Sequence, residues 1–214
     1  MSSAALCFIA GYLVGSVPVG LVVGRIAGVD IRRYGTGNIG ASNVMRNVGF
    51  LPAAVVGVTS FVQGLGPAWA AWMLVGSPLA VAGAAVGAVV GYGWSLFLHL
   101  RGGSAVGTAT GALAAISPVG LVPLLGLYAL GALARQPAPG VLLGLIAYLA
   151  YLRLWPHPVE LTVAGALIVA LVVLKRLDGV RGDFRAEPGR HTEILVDRLV
   201  FDRRPRQVLV GRND

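Results

Sequence analysis

Long apolar runs with almost no charge inside them govern what this 214-residue chain can fold into. They fall at about 4–27, 52–75, 79–100, 105–133, 139–154 and 159–174. Roughly 20 helical residues cross a hydrocarbon core, where every backbone N–H and C=O must find its partner within the protein. Repeated runs of that length predict an all-α, polytopic membrane protein. Charged residues make up 12% of the chain, about half of the roughly 25% usual in soluble domains. The first run lacks a basic leader and a small-residue cleavage site, so it reads as a retained first helix and not a signal peptide.

The fourth run is broken by Ser117-Pro118. Proline removes a helical hydrogen bond and marks either a kink or a turn. The basic residues decide between six spans and seven. With a turn, Arg25, Arg32, Arg33, Arg46, the His99–Arg101 loop, Arg135 and the tail share one side, and only Arg153 dissents. Cytoplasmic loops carry the excess Lys and Arg. The expectation is therefore about seven transmembrane helices, N-terminus outside and C-terminus cytoplasmic. The fourth, about 105–116, is too short to span unaided and needs neighbours to shield it. Trp69, Trp72, Trp94 and Trp155 read as interface anchors.

The net charge of +8 would ordinarily suggest nucleic acid. Here the basic residues sit at the ends of apolar runs and in the tail, which suits a cytoplasmic membrane face, and no nucleic-acid partner is expected. The single cysteine, Cys7, excludes an internal disulfide and a cysteine metal cluster. His99, His157 and His191 lack acidic partners at ligand spacing, so no metal site is expected. Residues 178–214 form a polar cytoplasmic tail in which charges alternate with short β-branched stretches. It reads as a solvated tail near anionic headgroups, with a strand pair or a surface helix as alternatives.

Two glycine-rich polar segments lie on the predicted cytoplasmic side: 35–46 (GTGNIGASNVMR) and Arg101-Gly102-Gly103-Ser104. Both run into helices. Glycines such as Gly37, Gly40, Gly102 and Gly103 let backbone N–H groups turn toward a bound oxygen, and a helix N-terminus adds positive potential. Arg46 and Arg101 supply forked donors matched to phosphate. Thr36, Asn38, Asn43, Ser104 and Thr108 can hydrogen-bond a polyol or a carbonyl. The combination describes a membrane-edge site for a small phosphorylated ligand.

The spelling of these segments resembles a known family. Gly15-Ser16-Val17-Pro18-Val19-Gly20, Val29-Asp30-Ile31-Arg32 and GTGNIGASNVMRNVG at 35–49 resemble the bacterial membrane acyl-phosphate:glycerol-3-phosphate acyltransferases, with Thr36 for the family's Ser and Ser42 for its Thr. Residues 101–108 resemble the second family motif, with Ser104 at its lysine. The third motif aligns best with Ala170–Leu177, keeping Lys175-Arg176-Leu177 but with Ala170 and Val173 at its His and Asn. A looser match begins at His191. Tyr92, Ser60 and Gln63 stand at positions of a His, an Asp and a Lys. The histidine–aspartate spacing of the other large class of lipid acyltransferases is absent.

The resemblance implies that residues 1–177 are a transmembrane acyltransferase-like domain of the bacterial inner membrane. It implies transfer of an acyl group from acyl phosphate to glycerol 3-phosphate, giving lysophosphatidic acid, with no cofactor, metal or coenzyme A. Thr36 and Asn38 would orient the acceptor hydroxyl and Arg46 would hold a phosphate. Gly102, Gly103 and Ser104 would cradle the acyl phosphate. The alternative is an impaired member that binds a phosphorylated lipid precursor or regulates an active copy. Beyond substrates and membrane lipid no partner is implied, and a monomer is compatible with the sequence.

Overall fold

The computed structural model describes residues 1–202, which fold as eleven α-helices with two 3-10 turns. The end of the predicted tail, 203–214, lies outside the described residues. The expected first helix is in fact two, α1 (Ser3–Ser16) and α2 (Val19–Ile26). The residue before a proline avoids the helical region, and Val17 is extended, with ψ 117°. The carbonyls freed at this break are met from α4 (Phe50–Leu74): Gln63 Nε2 donates to the Val14 and Val17 oxygens, both at 2.9 Å.

Pro78 opens α5 (Pro78–Gly93), the most enclosed element. Proline suits the first helical turn because its missing N–H would have no partner there. α1 lies along α5 with backbone almost on backbone. A Cβ on Gly11 would stand 2.2 Å from the Ala84 oxygen, and one on Gly15 2.0 Å from the Ala88 oxygen. In lipid no hydrophobic drive pulls helices together, so small residues and close contact take its place.

The predicted break at Ser117-Pro118 separates α6 (Val106–Ile116) from α7 (Leu121–Leu133). Two tyrosines on α8 (Pro137–Leu154) hold it. Tyr148 donates to the Leu113 oxygen at 2.7 Å, and Ser117 bonds Tyr151 at 3.2 Å. α6 is about 16 Å long at 1.5 Å per residue. It is flanked by α4, α5 and α9 (Val159–Arg176). Among the described residues, four stretches are long and apolar enough to cross a membrane: Ser3–Ile26, Phe50–Leu74, Pro78–Leu98 and Pro137–Leu154.

The tail departs from its solvated reading over 178–202. It forms α10 (Val180–Ala186) and α11 (His191–Leu199), with Ile194 and Arg198 buried. Arg198 pairs with Asp183, and its Nη1 donates to the Asp178 carbonyl at 2.6 Å. Satisfied in this way, a charged side chain can be buried in so polar a segment.

Gly87→Leu is expected to unseat α1, because a Cβ there stands 2.2 Å from the Phe8 carbonyl oxygen. Backbone cannot yield as a side chain can, so the loss should reach about 3 kcal/mol. The unfolding midpoint in detergent should fall by about 6 °C or more. Gly66→Ala, which meets nothing within 4 Å, should leave it unchanged or raised.

Candidate active site

The first polar loop runs from a 3-10 turn at Ile31–Arg33 to α3 (Ala41–Asn47). Asp30 opens it, bonding Arg32 Nε at 2.9 Å and Nη2 at 2.6 Å. These bonds from Arg32 lower the Asp30 carboxyl to about 2. A depressed carboxylate stabilises the fold above its unfolded value and loses that contribution only as pH falls through the folded one. The pair therefore persists at every ordinary pH.

Asn43 holds the loop's shape. Its Nδ2 donates to the carbonyls of Ile31, Tyr34 and Asn38 at 3.2, 3.0 and 2.9 Å. Its Oδ1 accepts from the Thr36 N–H at 3.2 Å and from Asn47 at 3.0 Å. Gly35 comes so close that a Cβ would lie 2.4 Å from that oxygen, and glycine adopts its φ of +55° without strain. Asn43 is 2% exposed and lines neither of the two cavities described below, so the structure gives it the work of holding the loop. Thr108 likewise lines neither cavity: it is fully buried against α4, where its carbonyl faces Gly64.

Asn38 joins the two predicted segments. Its Oδ1 accepts from the Gly40 N–H at 3.0 Å and from the Ser104 N–H at 3.3 Å. The second segment folds back on the end of α5, with the Gly102 N–H on the Gly93 oxygen and the Gly103 N–H on the Tyr92 oxygen, both at 3.1 Å. A Cβ on Gly103 would meet Tyr92 Cε1 at 2.6 Å and Asn38 Oδ1 at 2.9 Å. The strained positions of this loop are His99, Leu100 and Ala105, with φ of 52°, 61° and 59°.

These segments enclose a polar cleft of about 810 Å³. It is lined by Thr36, Gly37, Asn38, Arg46, Arg101, Gly102, Gly103 and Ser104 from the predicted set. Arg32, Arg33, His99 and Lys175 also line it. Arg32 is taken up by Asp30, and Lys175 by Asp178 at 2.6 Å. Among the described residues Arg33, Arg46 and Arg101 enter no ion pair, so three guanidiniums are available to an anion. Lys175 is the residue that sequence reasoning underrated. It comes from the end of α9, is 5% exposed and lies over the Trp94 ring at 4.9 Å. Its signal was the Lys175-Arg176-Leu177 motif.

A second cavity, about 620 Å³, runs between α4, α6, α7 and α8. Its walls include Phe61, Val106, Leu124, Leu125, Val141 and Leu145, with Gly40 at its polar end. Thr36, Ser42, Arg46, Ser104 and Asp202 line both cavities, so the polar cleft and the apolar groove meet there. Ser60 and Tyr92 line the groove and hydrogen-bond each other at 3.3 Å. Ala170, Val173 and His191 line neither cavity. No group of three or more His, Cys, Asp or Glu among the described residues is placed to hold a metal ion.

Asn43→Ala is expected to loosen residues 31–40 and raise their hydrogen exchange, with a loss of about 2–3 kcal/mol from several buried bonds. Arg46→Ala should leave exchange in that loop unchanged, since Arg46 is exposed and supports no loop bond.

The glycerol-3-phosphate acyltransferase family model matches residues 5–181. The glycerol-3-phosphate acyltransferase of Rubrobacter xylanophilus is 44% identical over 126 residues, 58% of this chain and 61% of that protein. That of Trichlorobacter lovleyi is 34% identical over 175 residues, 81% of this chain and 90% of that protein. Among solved structures, the glycerol 3-phosphate form of PlsY (YgiH), an integral membrane glycerol 3-phosphate acyltransferase, superposes with a TM-score of 0.77. Identity is 28%, over 86% of this chain and 94% of that one. Matched by that family model over residues 5–181, and with the overall helical frame shared, the chain belongs to the glycerol-3-phosphate acyltransferase family.

Proposed function

We propose that this chain transfers a fatty acyl group from an acyl phosphate to glycerol 3-phosphate, giving lysophosphatidic acid and inorganic phosphate. The observation that carries this reading is the meeting of a cationic cleft and an apolar groove at one wall of Thr36, Ser42, Arg46 and Ser104. An acyl phosphate has those two characters joined at one bond. Its chain suits the groove and its phosphate the cleft, so the carbonyl carbon falls at the shared wall.

The glycerol 3-phosphate hydroxyl attacks that carbon, and the C–O bond to phosphate breaks. The departing phosphate takes the electron pair, and the hydroxyl proton passes to a phosphate oxygen. A mixed anhydride is reactive enough that positioning and charge supply most of the help. Arg46 and Arg101 hold phosphate oxygens. Thr36 and Asn38 orient the attacking hydroxyl. Gly37, Gly40, Gly102 and Gly103 let backbone approach the ligands, and Ser104 donates a hydrogen bond where the family motif has lysine. Lys175, paired with Asp178, brings an ammonium to the same cleft wall from a different helix.

The topology that suits this chemistry is seven spans in a bacterial inner membrane. The N-terminus lies outside, and both loops face the cytoplasm, where glycerol 3-phosphate is found. The family fold and the four long apolar stretches support it. A further support is that α6 and α7 form separate short helices.

Purified protein given palmitoyl phosphate and radiolabelled glycerol 3-phosphate should form labelled lysophosphatidic acid. Binding of glycerol 3-phosphate without turnover would instead identify a non-catalytic relative. Lys175→Gln should lower kcat/KM by about 10²-fold, as does loss of one transition-state donor elsewhere. A change under threefold would remove Lys175 from the mechanism.

A further inference from the structure

The family match ends at residue 181, yet the chain continues and returns to the site. α11 is fastened by Arg198, whose Nε donates to Asp183 at 2.5 Å and whose Nη1 reaches the Asp178 carbonyl. It is fastened again by Arg176, which donates to the Leu199 and Val200 carbonyls and, at 3.2 Å, to that of Ala138 on α8. Beyond this double latch, Phe201 lines the apolar groove and Asp202 lines both cavities.

We propose that residues 182–202 form a strap that screens anionic substrates, with the Asp202 carboxylate as the screening charge at the wall where cleft and groove meet. The proposal rests on reading the polar cleft as the phosphate site. Asp202 lines the same wall as Thr36, Arg46 and Ser104, with its charge also acting on Arg176, and so stands beside ground that a phosphate needs. Like charges across a cleft repel, less steeply where one of them is exposed to solvent. A ligand must therefore offer enough charge to the guanidiniums to displace Asp202. A dianionic phosphate does so more readily than a carboxylate or a monoanion. The latch lies on Arg176 and Arg198, outside the polar cleft, so the end of the strap can yield while α11 stays seated. Asp202 is exposed, and its backbone is in the left-handed region at φ 50°, a conformation asparagine also tolerates.

The test is titration of the full-length protein with inorganic phosphate, by calorimetry, in wild type, Asp202→Asn and Asp202→Glu, with KM for glycerol 3-phosphate measured alongside. Asp202→Asn should bind phosphate about 3- to 10-fold more tightly and lower KM in proportion, while Asp202→Glu stays near wild type. Unchanged phosphate affinity in Asp202→Asn would overturn the proposal. So would a collapse of kcat in Asp202→Asn that Asp202→Glu restores, since the carboxylate would then serve the chemistry. Phosphate binding does not require turnover. A tighter Asp202→Asn with no acyl transfer in wild type would therefore keep the strap and refute the acyltransferase reading.

Discussion

The Asn43 side-chain amide determines whether a site exists at all. Residues 34–40 are in no helix, and a loop at a membrane edge has few neighbours to fold against. One buried amide meets three carbonyls and one backbone N–H of that loop. With the backbone so paired, the loop keeps one shape without a ligand, and Thr36 and Arg46 stand in fixed relation to each other. Asn38 then carries the order across to Ser104 in the second segment. Preorganisation of this kind is what electrostatic catalysis requires, because donors that need not reorganise during reaction act at full strength.

The substitutions that distinguish this chain also fit together physically. Ser60 and Tyr92, which stand where the resembled family has an acid and a histidine, hydrogen-bond each other as a neutral pair at the side of the groove. Gln63, at a lysine position, places its two N–H donors on the two carbonyls at the α1–α2 break. An amide donates there without the cost of a buried charge. Each exchange lowers charge within the apolar frame while keeping a hydrogen bond. Where charge matters to an anionic ligand, Arg33, Arg46 and Arg101 keep it in the cleft that Ser104 lines, and the Lys175–Asp178 pair completes the wall from the end of α9.

Much of this was legible in the sequence because the signals were local. The break at Ser117-Pro118 and the short α6 followed from a proline and a charge count. The two glycine-rich segments declared themselves by composition, and the cleft unites nearly all their predicted residues. Other features depend on contacts distant in the chain. Asn43 and Thr108 have the same chemistry as residues that face a ligand, and only packing shows that their faces point inward. Val17-Pro18 read as part of one helix because its rescue comes from Gln63, more than forty residues away. The docked tail was hidden for the same reason: Arg198 looks like any surface arginine until Asp183 is beside it.

The short α6 explains why the two cavities meet where they do. A helix of 11 residues covers only about half the length that a full transmembrane helix needs. At its C-terminal end the Leu113 carbonyl takes the Ser117 N–H, and Tyr148 adds a second donor to the same oxygen, tying the end of α6 to α8. Its N-terminus faces the opposite way, with Ala105, Val106 and Gly107 on the groove and Ser104 on both cavities. The first N–H groups of a helix have no intrahelical acceptor and carry its positive end. That potential acts on the groove at the wall where negative charge would build on an acyl oxygen. A longer helix in this place would carry its N-terminus past the wall, and the groove would lose the positive helix end at that point.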